Sequence, residues 1–209
     1  MKGILGILRH NTPHKELDAA PDSKLFATTF LGTGTDPDLL VPWEARAVEI
    51  GATRIDSARA TRLLQTLWSR DKQMSKLDLD AVIRMEPFLE YAAVPAGREL
   101  IRQDEHSNFM LVLLSGSIAV DRLQPWGERL RMSEAAPGGI LGEMSLLDGG
   151  IRFSACTTLK DCEIAVLSAT ALDEMMNADP ALTASFVTVL ARKLSLHLRG
   201  VSARLSDKK

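Results

Sequence analysis

The chain changes its hydrophobic period twice. Between Ser57 and Met74, Ala60, Leu63, Leu64, Leu67 and Trp68 recur at three- and four-residue spacing among Arg, Gln and Lys, which predicts an amphipathic helix. A second, short helix is expected next, capped by Asp78 or Asp80, with Val82, Ile83 and Met85 facing inward. Pro87 ends it, because the residue before a proline is pushed out of the helical region. After Pro87 the spacing becomes that of extended chain. Strands are predicted over 88–94, 99–102, 109–114, 117–122, 128–132, 152–159 and 163–167, separated by turns such as Pro95-Ala-Gly97, Ser115-Gly116 and Pro125-Trp-Gly127. The helical period then returns. Thr170 or Ser168 caps a helix lined by Leu172, Met175 and Met176, Asp179-Pro180 breaks it, and a last helix carries Leu182, Phe186, Val189 or Leu190, Leu194, Leu198, Val201 and Leu205 on one face. Many short strands at regular spacing, flanked by helices, imply an α+β protein, mainly β, with a sandwich or barrel at its centre.

Before residue 42 the pattern is punctuated by Pro, Gly, Asp and Thr, and regular structure is not expected to persist. One apolar island, Leu25, Phe26, Phe30 and Leu31, interrupts it as a local clamp. The expected organisation is therefore a flexible segment over 1–55, a helical segment over 56–86 and a β domain with C-terminal helices over 87–206. With 209 residues, 45% hydrophobic and 25% charged, the composition is that of an ordinary globular protein with one core. A net charge of −2 with both signs interspersed gives no footprint for nucleic acid or an anionic membrane. The apolar run Ile4–Leu8 falls short of the roughly 7–15 residues of a signal-peptide core, so the cytoplasm is the expected compartment.

Cys156 and Cys162 lack CxxC spacing and are expected as reduced core thiols. His10 and His14 are separated by Pro13, which argues against a helical metal pair, and no metal or other cofactor is expected. No nucleophile elbow, P-loop, paired catalytic acids or HExxH occurs, which points away from an enzyme.

The informative stretch is Pro137-Gly-Gly-Ile-Leu-Gly-Glu-Met-Ser-Leu-Leu-Asp-Gly-Gly-Ile-Arg-Phe-Ser-Ala155. Glycines precede a short amphipathic turn, Glu143 opens it, and Arg152 follows nine residues later. A phosphate beside a ribose requires such a set: backbone N–H groups that approach an anion closely, a planar guanidinium fork for two phosphate oxygens, and a carboxylate that accepts from a 2′-hydroxyl. The competing expectation is an internal Glu143–Arg152 ion pair that braces the loop.

This stretch resembles the phosphate-binding cassette of the cyclic-nucleotide-binding domain family, shared by bacterial catabolite-activator-type regulators, protein kinase A regulatory subunits and gated channels. Gly142, Glu143, Leu146 and Arg152 match residue by residue. Val94-Pro95-Ala96-Gly97 and Leu113-Leu114-Ser115-Gly116 resemble two upstream turns of the family, while Ile151 and Phe153 depart from its usual Pro before and Ser or Ala after the arginine. The resemblance implies a jelly-roll-like β-roll, and ligand-binding residues Gly142, Glu143, Met144, Ser145, Arg152, Phe153 and Ser154. It further implies a cyclic nucleotide, cAMP or cGMP, as ligand, a protein partner that reads the bound state, and homodimerisation through the C-terminal helix. No helix-turn-helix is expected after that helix. The alternatives are an interaction scaffold that binds no nucleotide, and a cup retuned to a cyclic dinucleotide.

Overall fold

Phe109-Met-Leu-Val-Leu-Leu114 is apolar at every position, so as a strand it has to be covered on both faces. The computed structural model describes residues 24–28, 36 and 39–206 and places this strand at the centre. The elements in order are α1 (Trp43–Ile50), β1 (Thr53–Arg54), α2 (Ser57–Arg70), α3 (Leu79–Met85), β2 (Glu90–Val94), β3 (Glu99–Ile101), β4 (Phe109–Ser115) and β5 (Ile118–Leu123). They continue with β6 (Arg129–Ala135), β7 (Ile140–Leu141), α4 (Glu143–Asp148), β8 (Ala155–Thr158), β9 (Cys162–Ser168), α5 (Ala169–Ala178) and α6 (Pro180–Ser206). One sheet runs β1-β2-β9-β4-β7 and the other β3-β8-β5-β6, all pairs antiparallel. The fold is α+β, as the strand pattern predicts, and its two sheets form the β-roll that the resemblance implies, with helices packed around it.

The two faces of β4 serve two cores. Met110, Val112 and Leu114 meet Leu64 and Trp68 of α2, Met85 of α3, Leu172 of α5, and Leu182, Phe186 and Leu190 of α6. Phe109, Leu111 and Leu113 turn into the roll with Leu100, Ile101, Ile118, Leu141, Cys156, Ile164 and Val166. Both cysteines are buried and free, and burial pushes the Cys156 thiol up to about 12, as expected of an inert core thiol. The β4–β5 turn depends on Gly116. Its φ is +93°, and a Cβ there would lie 2.5 Å from the Asp161 carbonyl oxygen, so no other residue fits.

Caps follow the sequence reading. Asp78 accepts from Asp80 N at α3 and Ser168 from Ala171 N at α5, while the Asp56 cap of α2, which accepts from Arg59 N, lies outside that reading. Three local expectations are corrected. Ile83 is exposed, because Ala81, Val82 and Met85 form the inward arc of α3 and Ile83 falls outside it. Among the described residues the first α-helix starts at Trp43, inside the segment expected to be flexible up to residue 55, because Trp43 and Ile50 of α1 are buried against the roll. The two-residue strands β1 and β7, too short to show a period, were absent from the sequence reading.

Of the apolar island, Phe26 docks in the helical core while Leu25 stays exposed. The backbone N–H groups of Phe26 and Ala27 donate to the buried carboxylate of Asp173 on α5, at 3.0 and 2.7 Å. Phe30, Leu31, His10, His14 and Ile4–Leu8 lie outside the described residues, as does the side chain of Leu205.

Helix α6 divides in two. Leu182, Phe186, Val189 and Leu190 are buried, and Phe186 stacks on Trp68 at 6.2 Å between ring centroids. Farther along, Leu198 is 67% exposed, so the apolar stripe continues past the domain that covers its first half. Phe186→Ala is expected to cost about 3–5 kcal/mol in urea unfolding, whereas Leu198→Ala is expected to stay within about 0.5 kcal/mol. Equal losses would contradict this division of the helix.

Candidate functional site

The site is built where β7 hands the chain to α4 and the 149–154 loop returns it to β8. Gly142 sits at φ +78°, and a Cβ on it would lie 2.5 Å from Arg152 Nη1 and 2.9 Å from Ile101 Cδ1. The glycine leaves the space through which the arginine passes. The Arg152 side chain is 1% exposed. Its Nε donates to Ser107 Oγ at 2.6 Å, its Nη1 to the Gly142 carbonyl oxygen at 2.7 Å, and its Nη2 to the Phe109 carbonyl oxygen. The guanidinium carbon lies 4.7 Å from the Phe109 ring centroid, a cation–π contact. The backbone is fixed as well: Arg152 N donates to the Glu105 carbonyl oxygen and Asp104 N to that of Arg152, both at 2.9 Å.

Two electrostatic facts define the site. Every hydrogen-bond acceptor of Arg152 is neutral, and the ion pairs among the described residues include none between Arg152 and a carboxylate. The bracing Glu143–Arg152 ion pair that the sequence left open is therefore not formed. Burial lowers the arginine to about 10, with Cys156, Glu105 and Glu143 opposing the shift and Arg46 adding to it, so it is still a cation at neutral pH. Glu143, half-buried at the start of α4, is shifted the other way. Burial raises it above the ordinary carboxylate value, against the pull of His197 and Lys193 on α6 and of Arg152.

The other expected ligand residues divide by position. Ser145 is buried, its hydroxyl near the Ile151 carbonyl oxygen at 3.5 Å, and Ser154 is half-buried. Met144 is about half exposed. Phe153 is 51% exposed, and the Arg122 guanidinium of β5 lies 3.9 Å from its ring centroid while donating to its carbonyl oxygen. Thus Gly142 and Arg152 are in contact, Ser145 is buried against the Ile151 carbonyl, and Phe153 lies at the surface.

Four participants carried no sequence signal: Ser107, the Phe109 carbonyl, Arg122 and Arg46. Arg46 of α1 is fully buried and pairs with Glu105, and with Glu49 at 2.6 Å. A cleft of about 300 Å³ between α1, the 87–90 turn and α5, and another of about 450 Å³ beside Gly51 and Cys162, include no cassette residue in their walls. Among the described residues, no group of three or more His, Cys, Asp or Glu side chains is placed to hold a metal ion. No helix there is long and apolar enough to cross a membrane.

The shift on Glu143 has a testable sign. Its folded pKa lies above its unfolded value, so the folded state binds the extra proton between the two. Stability is then highest below the unfolded value near 4.5 and falls as pH rises through the folded one. Glu143→Gln is expected to remove that decline and raise the melting temperature at pH 7 by about 1–3 °C. A lower melting temperature for the variant at pH 7 would contradict burial as the dominant cause.

Residues 92–179 match the family model of the cyclic nucleotide-binding domain. Among curated proteins, the chain is 25% identical over 114 residues to a CRP-like cAMP-activated global transcriptional regulator of Mycobacterium tuberculosis, covering 54% of this chain and 51% of that protein. It is 22% identical to a neuropathy target esterase sws of Drosophila grimshawi, over 97% of this chain and 15% of that protein. The chain thus spans about half the length of the regulator and a small part of the esterase. Among solved structures, a cyclic nucleotide-binding domain from Methylobacillus flagellatus superposes with a TM-score of 0.68 at 21% identity, covering 76% of this chain and 89% of that one, a likeness of fold. The Gly142–Arg152 geometry and the two-sheet roll agree with the match of residues 92–179 to the cyclic nucleotide-binding domain model.

Proposed function

We propose that the chain is a non-enzymatic cytoplasmic sensor that binds a cyclic nucleotide, cAMP or cGMP, at Arg152 and signals by protein contact. One observation carries this reading: a buried arginine whose charge is met only by neutral acceptors. A buried cation is costly without a counter-charge. Serine and two carbonyl oxygens occupy three of the five guanidinium N–H groups, leaving two for the oxygens of a phosphate. Glu143 is the acid available to a ribose hydroxyl, and the backbone of Phe153 and Ser154 flanks the same loop. Met144 and Ser145 complete the proposed ligand set.

The route outward runs through α6. His197 and Lys193 on that helix act electrostatically on Glu143, and Lys193 also bonds Asp71 at 3.1 Å. A ligand that engages Glu143 changes the field at α6, whose exposed Leu198 and Val201 are the proposed homodimer face.

A second reading, an interaction scaffold that binds no nucleotide, draws support from the three acceptors already satisfying Arg152 and from the absence of cassette residues in either cleft. Calorimetry on the full chain with cAMP, cGMP and cyclic di-GMP separates the two. The expected result is saturable binding of a cyclic mononucleotide, weakened at least about tenfold in Arg152→Lys, which keeps the charge and loses the fork. Lysine is the variant of choice because alanine would leave the Phe109 carbonyl without its donor, at about 1–3 kcal/mol, and would take one of two donors from the Gly142 carbonyl. Saturable binding of cyclic di-GMP alone would identify a retuned cup. No heat from any of the three would favour the scaffold.

A further inference from the structure

We propose that Arg46 of α1 is a positioning residue for the cassette arginine, and that docking of α1 and occupancy of the anion site are linked through residues 104–109. The linkage to a ligand rests on the sensor reading above; the coupling of α1 to Arg152 does not.

The 104–109 segment is clasped from two sides. On the cassette side it exchanges backbone hydrogen bonds with Arg152 at Asp104 and Glu105, and offers the Ser107 hydroxyl and the Phe109 carbonyl to the guanidinium. On the other side Val41 N donates to the His106 carbonyl oxygen at 2.9 Å and Leu40 bridges His106 in parallel. Arg46 pairs with the Glu105 carboxylate, and Trp43 sets its ring against that of Phe109 at 5.6 Å between centroids and 66° between planes. Glu105 and Phe109 are thus gripped from both directions. A shift of Arg152 that moves either one is felt at α1.

The clasp is suited to two arrangements. Arg46 is 0% exposed, yet its Nε and the Glu105 Oε1 are buried without partners, so a single prong joins the pair and leaves one donor and one acceptor unused. Asp104 holds φ +63°, the left-handed region that a non-glycine residue rarely adopts, at the point where the segment turns. Arg46 and Arg152 also share a field, since Arg46 lowers and Glu105 raises the proton affinity of Arg152. An anion arriving at Arg152 adds negative charge that both guanidiniums feel, which favours the docked α1. By linkage, a docked α1 favours the anion by the same factor.

Hydrogen–deuterium exchange on the full chain tests this with and without nucleotide. Without nucleotide, Arg152→Gln is expected to speed exchange of amides 43–50 by about fivefold or more, with the β5–β6 hairpin unchanged. Wild-type exchange at 43–50 in that variant would overturn the coupling. With cAMP or cGMP bound to the unmodified chain, exchange at 43–50 is expected to slow. Arg46→Gln is expected to weaken nucleotide affinity about five- to tenfold, and Arg46→Lys to recover most of the loss, which a merely structural role would not require. Should Arg46→Gln melt below the assay temperature, Glu49→Gln is expected to act in the same direction more weakly, because it removes only the solvent-side anchor. Unchanged affinity in the folded Arg46→Gln chain overturns the proposal. If the unmodified chain binds neither nucleotide, the sensor reading fails, and the Arg152→Gln exchange result alone decides whether α1 and the cassette are coupled.

Discussion

A guanidinium inside a roll of Leu, Ile, Val and Phe has to find hydrogen-bond acceptors or it opens the domain, and the requirement of Arg152 organises its surroundings. Its acceptors come from three stretches of chain: Ser107 in the β3–β4 connection, Phe109 at the start of β4, and Gly142 at the end of β7. Drawing those stretches together closes one end of the roll. Hydrogen bonds to a charged group contribute about 1.5–3 kcal/mol each, enough to offset part of the desolvation that lowers the arginine to about 10. Gly142 is fixed by the same demand, since any side chain there would occupy the space of Nη1.

The consequences radiate along covalent and packing paths. With Phe109 fixed, its ring takes the edge of Trp43 and holds α1; with Gly142 fixed, α4 begins at Glu143, under the field of Lys193 and His197 on α6. The helical layer is anchored separately, through the opposite face of β4 and the Trp68–Phe186 stack. β4 is the only strand among the described residues that is buried at all but its last position and gives three apolar side chains to each core. The roll and the helices are coupled through it.

Much of this was legible in the chain. The continuous apolar run of β4 announced a central strand, the three- and four-residue spacing of α2 and α6 announced helices, and the Gly142–Arg152 spacing announced a cassette. The missing parts fail for physical reasons. The two-residue strands β1 and β7 are shorter than any period. α1 is held by tertiary contacts of Trp43 and Arg46, which short-range spacing does not display. Two of the three Arg152 acceptors are backbone carbonyls, and a carbonyl leaves no mark in a sequence. The spacing that signals a ligand arginine is also compatible with one turned toward its own chain, and the sequence carries no sign of the carbonyls that Arg152 meets.

Arginine side-chain ¹⁵N NMR on the full chain tests the central claim most directly, with the Arg152 Nε–H resonance identified by its loss in Arg152→Lys. A buried Nε–H bonded to Ser107 is expected to exchange slowly with water at neutral pH, apart from the solvent-exposed arginines, and to move when a cyclic nucleotide saturates the chain. An Arg152 Nε–H that exchanges as fast as that of an exposed arginine would contradict the account, because the guanidinium would then lie in solvent and neither the closed roll nor the anion site would depend on it.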